Sequence, residues 1–385
     1  MKELEYPFDA AYIIKKRKSL KKALLADGTS RIRKKIAVFG GSTTSDIVKT
    51  LELFLLDAGI EPEFYESEYA QYFQDAMFPD ETLLSFKPDI VFIHTTNRNV
   101  TDWPEMTDTT EQIDEKLHTE INRFTAMWKS IAEKFHCPII QNNFEMPLYR
   151  LLGSRDAWDI HGRTNFLTRL NEAFYAYARE NESFYIHDLN FVSADYGLKE
   201  WSNPLFWNMY KYAMCFEAIP SFAFSVSHII KSIFGKNKKA LTLDLDNTLW
   251  GGVVGDDGVD GIEIGQETGV SQSYYEFQTY VKQLKSLGIV LTVCSKNDHE
   301  NAIAGLNHPE GALRPDDFVI IKANWENKDR NIAETAAELN ILPDSIVFAD
   351  DNPAEREIVR TQIKGAAVPD MDGVENYITT IDRSG

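Results

Sequence analysis

The chain has 385 residues, of which 43% are hydrophobic and 26% charged, a composition typical of a globular protein with two or three domains. Its net charge of −19 disfavours nucleic acid as a partner. The cysteines show no paired or CxxC pattern and no apolar run reaches about 18 residues, which argues against a disulfide scaffold and a membrane span and favours a soluble, cytoplasmic protein.

The first 35 residues are basic, although the protein as a whole is acidic. They carry eleven lysines and arginines against four acidic residues, a net charge of +7, which leaves −26 for the remainder. Lys15, Lys18 and Lys22 are three and four positions apart, so a helix would place them on one face. We expect a basic helical segment over residues 1–35, which is either a solvated surface or an electrostatic docking site for an acidic partner.

Residues 36–235 alternate between short apolar runs and long amphipathic stretches. Five runs are typical of strands, namely KKIAVFGG, EFYES, PDIVFIHTT, CPIIQNN and FYIHDL. The stretches between them have helical periodicity, which predicts βαβ units around a parallel sheet. This α/β unit closes with a helix ahead of a linker at residues 235–239.

Two polar residues follow strands of this first unit. Ser42 comes after the first strand at a predicted helix start, and Asn97 comes after the third. This arrangement resembles the SGNH, or GDSL-type, hydrolases, in which a serine nucleophile works with an oxyanion asparagine. The Asp-x-x-His that such enzymes carry later in the chain is missing here, because residues 200–212 read EWSNPLFWNMYKY. Without a base a serine is a poor nucleophile, so we favour a binding domain with Ser42 as a helix N-cap.

A second α/β unit is predicted over residues 236–370, followed by a C-terminal tail at 371–385. Its strand candidates are KALTLDLD, GIVLTVCS, DFVII, SIVFAD and GAAVPD. Helical patterns occur in SQSYYEFQTYVKQLKSLG and DRNIAETAAELNI. In open parallel sheets ligands bind at the carboxyl ends of the strands, so polar residues at those ends mark the candidate site.

Four signals stand in order at strand ends or helix starts of this unit. They are Asp244-x-Asp246-x-Thr248, Ser295, Lys328 and the pair Asp350-Asp351. A carboxylate nucleophile has to face phosphorus, and a second carboxylate two residues later can protonate the leaving group. Hydroxyl groups can bind a phosphate, a lysine balances the charge, and further carboxylates complete an oxygen cage for Mg²⁺.

Together these signals resemble the haloacid dehalogenase superfamily and, more narrowly, its FkbH-like family. The resemblance rests on LDLDNTLWGGVVGDDGVDGI, VCSKND, NWENK and FADDNPAERE. It implies that Asp244 is the nucleophile and Asp246 the general acid/base. It further implies that Asp244, the Asp246 carbonyl and Asp350 or Asp351 hold Mg²⁺, while Thr248, Ser295 and Lys328 bind the phosphate. The fold expected from both resemblances is two Rossmann-like three-layer domains with mainly parallel sheets, SGNH- or flavodoxin-like first and capless haloacid dehalogenase-like second.

The spacing of the motifs leaves no room for an inserted cap domain. Thr248 and Ser295 are 47 positions apart, which a loop, one helix and one strand fill, and Lys328 follows 33 positions later. An open site admits a large phosphorylated substrate or uses another domain as its lid. Cys294, beside Ser295, is a possible acyl acceptor, but strand alternation turns it to the other face, as in an ordinary buried cysteine.

The function implied by the resemblance is dephosphorylation of 1,3-bisphosphoglycerate and transfer of its glyceryl group to the thiol of an acyl carrier protein. One alternative is a capless phosphatase for a phosphorylated metabolite or phosphoprotein. Another is a non-catalytic binding scaffold, against which the intact aspartates count. Family members often continue into an acetyltransferase-like domain, so we expect that the chain stops short of one.

Overall fold

The computed structural model describes all 385 residues, which form two compact units. The first comprises residues 1–4 and 8–235, and the second comprises residues 5–7 and 236–385. Each unit is built around one parallel sheet with helices on both faces, which confirms the predicted α/β class. Not one of the helices combines the length and the apolar composition that a membrane span requires.

The first unit contains a five-stranded sheet in the order β2-β1-β3-β4-β5. Its strands are β1 (Ile32–Gly40), β2 (Ile60–Glu66), β3 (Ile90–His94), β4 (Ile139–Asn142) and β5 (Phe184–His187). Its helices are α1 (Ala10–Ala26), α2 (Ser45–Asp57), α3 (Tyr72–Met77), α4 (Glu81–Phe86), α5 (Thr110–Phe135), α6 (Arg163–Glu180), α7 (Leu189–Tyr196), α8 (Leu198–Trp201), α9 (Pro204–Tyr210) and α10 (Ile219–Ile233).

Alternation along β1 distributes its side chains between two cores. Ile36 and Val38 belong to the core under α1, α2 and α10, whereas Ala37 and Phe39 belong to the core under α5 and α6. Burial of both sheet faces explains why the central strands are continuous apolar runs. The basic residues at 33–35 lie in β1 rather than in a helix, so the basic helical segment is shorter than predicted and ends at Ala26.

The second unit contains a four-stranded sheet in the order β8-β7-β6-β9. Its strands are β6 (Ala240–Leu243), β7 (Val290–Ser295), β8 (Ile320–Ala323) and β9 (Ile346–Ala349). Its helices are α11 (Val254–Asp257), α12 (Gly269–Ser286), α13 (His299–Leu306), α14 (Lys328–Glu338), α15 (Pro353–Gln362) and α16 (Tyr377–Arg383). The predicted fifth strand at GAAVPD is not formed, because only Ala367 makes an isolated bridge, to Val347.

The sheet order of the second unit positions the candidate site. Strand β6 lies between β7 and β9, and all of these strands run parallel. Residues that end the three strands therefore lie side by side at one edge. Asp244 follows β6, Ser295 ends β7 and Asp350 follows β9.

Candidate active site in the second unit

Lys328 lies at the centre of the carboxylates at this edge. It begins α14, is only 3% exposed, and its Nζ lies 2.8 Å from Asp244 Oδ2 and 2.6 Å from Asp350 Oδ2. Burial alone would lower the pKa of Lys328, but the charges of Asp244 and Asp350 raise it above its ordinary value. The lysine is therefore a fixed positive charge between two carboxylates.

Three carboxylates converge beside this lysine. Oxygen atoms of Asp244, Asp350 and Asp351 all lie within 4.8 Å of one another. Burial and the charge of Asp244 raise the pKa of Asp350 to about 6, despite its ion pair with Lys328, and the same two causes raise the pKa of Asp351. Asp244 Oδ1 is buried and has no hydrogen-bond partner among the protein groups. An unpaired buried carboxylate oxygen within an acidic cluster fits a hard divalent cation with oxygen ligands.

Thr248 holds the loop that carries the third carboxylate. Its hydroxyl accepts the Asp351 backbone N–H at 3.1 Å and donates to Asp351 Oδ1 at 3.4 Å. Thr248 is fully buried and does not line the cavity described below. The expectation that it binds the phosphate directly was wrong, because its hydroxyl already has two partners inside the protein.

The carboxylate of Asp246 is held by three donors. Trp250 Nε1 and the Val254 backbone N–H donate to its Oδ1 at 2.9 and 3.0 Å, and Asn297 Nδ2 donates to its Oδ2 at 2.9 Å. Burial raises the pKa of Asp246, and the charge of Asp244 raises it further, although the donors oppose this. Asp246 is thus a fixed carboxyl group whose pKa is shifted in the direction that suits a general acid.

Sequence reasoning missed three residues that support the site. Trp250 and Asn297 fix Asp246, as described above. Arg356, which is 3% exposed, donates through Nη1 to the carbonyls of Asp350 and Asp351 at 2.9 and 2.7 Å. The quoted motifs contain all three residues, but only the folded chain shows what their side chains contact.

A polar cavity of about 200 Å³ opens at this edge. The residues that line it are Asp244, Asp246, Asn247, Ser295, Lys296, Lys328, Asp351, Asn352 and Glu355. Asp244, Ser295 and Lys328 thus share one cavity, as the motif spacing predicts. Between Thr248 and Ser295 the chain forms only α11, α12, β7 and a short 3₁₀ turn, so no cap domain is inserted there.

Comparisons with known proteins agree with this geometry. The family model described as FkbH, N-terminal domain, matches residues 35–231, about half of the chain. The chain belongs to the FkbH family. A crystal structure of the N-terminal part of the Bacteroides fragilis protein BF1531, containing a phosphatase domain and complexed with Mg, is 30% identical. The alignment covers 96% of this chain and 97% of that one, with a TM-score of 0.86.

More distant solved structures do not help to assign a function. A GDSL-like lipase from Bacteroides thetaiotaomicron is 13% identical over 58% of this chain and 98% of its own. Its TM-score of 0.30 is too low to support any argument about function. No curated protein sequence matches the chain.

In this FkbH-family chain Cys294, the cysteine beside Ser295, is not available for chemistry. Cys294 is fully buried, points into the core formed with Ile332 and Phe348, and lies 3.7 Å from the Lys328 carbonyl. Burial raises the pKa of its thiol to about 12. The structure contradicts the possible role of Cys294 as acyl acceptor, because a buried thiol that stays protonated is a poor nucleophile.

The second candidate site, in the first unit of this family member, lacks a base beside its serine. Ser42 is 1% exposed and its hydroxyl has no hydrogen-bond partner. It is not the helix N-cap that the sequence suggested, because α2 begins at Ser45 and Thr44 precedes it. Asn97 is tied to Glu145, donating its backbone N–H to Oε2 at 3.3 Å and its side-chain amide to the carbonyl at 3.4 Å. No histidine or carboxylate therefore activates Ser42 in this structure.

Proposed function

We propose that the chain is a Mg²⁺-dependent phosphatase of haloacid dehalogenase type, with Asp244 as nucleophile. The observation that carries this proposal is the unpartnered Oδ1 of Asp244, which lies in a cavity beside Lys328 and the carboxylate cluster. Membership of the FkbH family and the Mg-bound phosphatase domain in the related B. fragilis structure support the same assignment.

Asp244, Asp350 and Asp351 would hold the Mg²⁺ ion, with the Asp246 carbonyl as a further ligand. When bound, the cation neutralises negative charge on the phosphoryl oxygens and on the nucleophile. Lys328 supplies a second positive charge from the protein itself, and Ser295 can donate its hydroxyl hydrogen to a phosphoryl oxygen. Together they offset the charge of a phosphate dianion that enters an otherwise acidic cavity.

The reaction has two balanced steps. In the first, an oxygen of Asp244 forms a bond to phosphorus, the bond from phosphorus to the substrate oxygen breaks, and Asp246 gives its proton to that oxygen. In the second, Asp246 takes a proton from water, the water oxygen attacks phosphorus, and inorganic phosphate leaves as Asp244 is regenerated. The three donors on Asp246 keep it oriented for both proton transfers.

The substrate we propose is 1,3-bisphosphoglycerate, as the FkbH resemblance implies. Asp244 would remove the ester phosphate at C3 and leave the acyl phosphate at C1 intact. The thiolate of an acyl carrier protein then attacks C1, the acyl C–O bond to phosphate breaks, and a glyceryl thioester forms. Since Cys294 is buried, we propose that the carrier thiol receives the acyl group directly.

The basic face of α1 is the proposed docking site for the acidic carrier. Lys15, Lys18 and Lys22 are all exposed on this helix, as its periodicity predicts. Complementary charge accelerates association more than it strengthens the final complex. Changing these three lysines to glutamate should slow carrier loading at low salt and leave hydrolysis of a small phosphate ester unchanged. Equally fast loading by the triple variant would show that this face is only a solvated surface.

The deciding experiment combines two measurements with Mg²⁺ and 1,3-bisphosphoglycerate present. Phosphate release reports on the phosphatase, and the mass of an added acyl carrier protein reports on glyceryl transfer. Phosphate release without a mass gain favours the alternative of a capless phosphatase that transfers no glyceryl group. If neither this substrate nor a generic phosphate ester is turned over, the chain is a binding scaffold and the proposal fails.

A further inference from the structure

One ion pair in the catalytic cavity has no role in the chemistry proposed above. Lys296 Nζ lies 2.6 Å from Glu355 Oε1, and both side chains line the cavity that contains Asp244. Their side chains are 38% and 13% exposed, so the pair lies at the solvent-facing side of the cavity. By contrast, the Lys328 side chain, at 3% exposure, is buried.

Of the two lysines that line the cavity, Lys296 is held by fewer carboxylates than Lys328. Lys328 forms ion pairs with both Asp244 and Asp350, whereas Lys296 forms one with Glu355. A partly exposed ion pair contributes little net free energy, so a lysine can exchange one anionic partner for another at little cost. A substrate anion that reaches the outer side of the cavity would therefore compete with Glu355 for this lysine.

We propose that Lys296 is a second anion subsite, which binds the charged group at the far end of a phosphorylated three-carbon acid. Glu355 holds the lysine in place until that group, a carboxylate or an acyl phosphate, replaces it. This inference rests on the proposed phosphatase function and defines its substrate class as small molecules with two anionic ends. Ser295 and Lys328 bind the phosphoryl group that is removed, and the adjacent Lys296 binds the other end.

The subsite has a consequence for the order of events. A carrier thioester of the same acid is neutral at C1 and could not use Lys296. The free, doubly anionic acid is therefore the better substrate, so dephosphorylation precedes loading of the carrier.

The test compares two phosphate esters with the same carbon skeleton. 3-Phosphoglycerate carries a carboxylate at C1, whereas glycerol 3-phosphate carries a neutral hydroxymethyl group there. The readout is the ratio of kcat/KM for the first ester to kcat/KM for the second. Lys296→Met should lower this ratio by roughly tenfold to a hundredfold, the usual effect of losing a hydrogen bond between charged groups. Glu355→Gln should raise the ratio severalfold, because a competing carboxylate is removed.

A matched control is Lys285→Met in the same unit. Lys285 also forms an ion pair, with Asp317 at 2.8 Å, but it does not line the cavity, so the ratio should stay as in wild type. An equal loss with both esters in Lys296→Met would mean that the lysine contacts the transferred phosphate, which overturns the proposal. An unchanged ratio overturns it as well.

Failure of the proposed function would be visible separately. If the wild-type chain hydrolyses neither ester, the phosphatase assignment is wrong, and the subsite is then judged by binding alone. In that case calorimetric titration with 3-phosphoglycerate should show roughly tenfold weaker binding to Lys296→Met than to wild type. Equal affinity for the two proteins overturns the subsite.

Discussion

The two sheets of this protein differ in what they bring together at their carboxyl edges. In the second unit, three carboxylates and a buried lysine lie together beside a polar cavity, and an oxygen of Asp244 is left without a partner. In the first unit the edge is also polar, but its buried strand-end groups are largely neutral. His94 Nδ1 lies 3.2 Å from Asn142 Oδ1, and His187 Nε2 lies 3.0 Å from Ser225 Oγ.

The edge of the second sheet is therefore suited to catalysis, whereas that of the first sheet is suited to stabilising the fold. Buried charges of one sign are costly unless a ligand or a cation neutralises them, so a buried cluster of carboxylates favours a binding or catalytic site. Neutral groups that bond to each other stabilise and fix the fold instead. A polar residue at a strand end is therefore a weak signal by itself. A stronger signal is a set of charged groups that converge and still lack a cation.

The largest expected effect comes from Asp244, the proposed nucleophile. Asp244→Asn should reduce phosphate release by more than about 10³-fold, because an amide cannot form the phosphorylated intermediate. Its circular dichroism spectrum should match that of wild type. Asp316→Asn removes an exposed carboxylate from the same unit and serves as the control, with wild-type turnover expected. Wild-type turnover by Asp244→Asn would show that Asp244 is not the nucleophile.

Removing Lys328 tests whether its positive charge stabilises the buried carboxylates around it. Lys328→Met leaves Asp350 buried beside Asp244 without a counter-charge, which should lower the free energy of unfolding by about 3–5 kcal/mol. Urea unfolding should show that Mg²⁺ recovers part of this loss, because a cation replaces the missing positive charge. A variant as stable as wild type in the absence of Mg²⁺ would show that the cluster is not electrostatically coupled.

Acid should destabilise the first unit through its buried histidines. Burial lowers the pKa of His94 to about 4 and that of His187 to about 3, below the ordinary value of 6.5. The unfolded chain therefore takes up protons first, so stability is full above pH 6.5 and falls as the pH is lowered towards 4. Each histidine contributes a slope of up to about 1.4 kcal/mol per pH unit.

Urea unfolding at pH 7, 6 and 5 would measure this slope. The double variant His94→Gln, His187→Gln should show a smaller loss between pH 7 and pH 5, even if it is less stable at pH 7. An identical slope in the variant and in wild type would mean that other groups determine the acid sensitivity.

The smallest effect is expected at Ser42. Ser42→Ala should change phosphate release by less than about twofold, since the serine has no positioned base and lies in the other unit. A fluorophosphonate probe should leave Ser42 unlabelled in wild type. Labelling would show that the first unit carries a second active site.

The sequence alone predicted the two α/β units and several of the residues that share the candidate cavity. Strands such as IAVFG and ALTL are continuous apolar runs because both faces of a parallel sheet are buried. Asp244, Ser295, Lys328 and Asp350 were found because each lies at a strand end or at a helix start. Ser42 was interpreted wrongly because α2 begins three residues later, at Ser45. Thr248 was interpreted wrongly because its hydroxyl bonds to Asp351, which is distant in the chain.

Residue type and local spacing therefore determined which groups were available to this protein, since strand and helix periodicity are properties of neighbouring residues. Tertiary structure decided which of those groups face one another. Asn297 reaches Asp246 across 51 positions, and Lys296 reaches Glu355 across 59. The hydroxyl of Thr248, which the sequence suggested for phosphate binding, instead accepts the backbone N–H of Asp351, 103 positions later. Such pairings depend on the order of strands in the sheet, which no local pattern specifies.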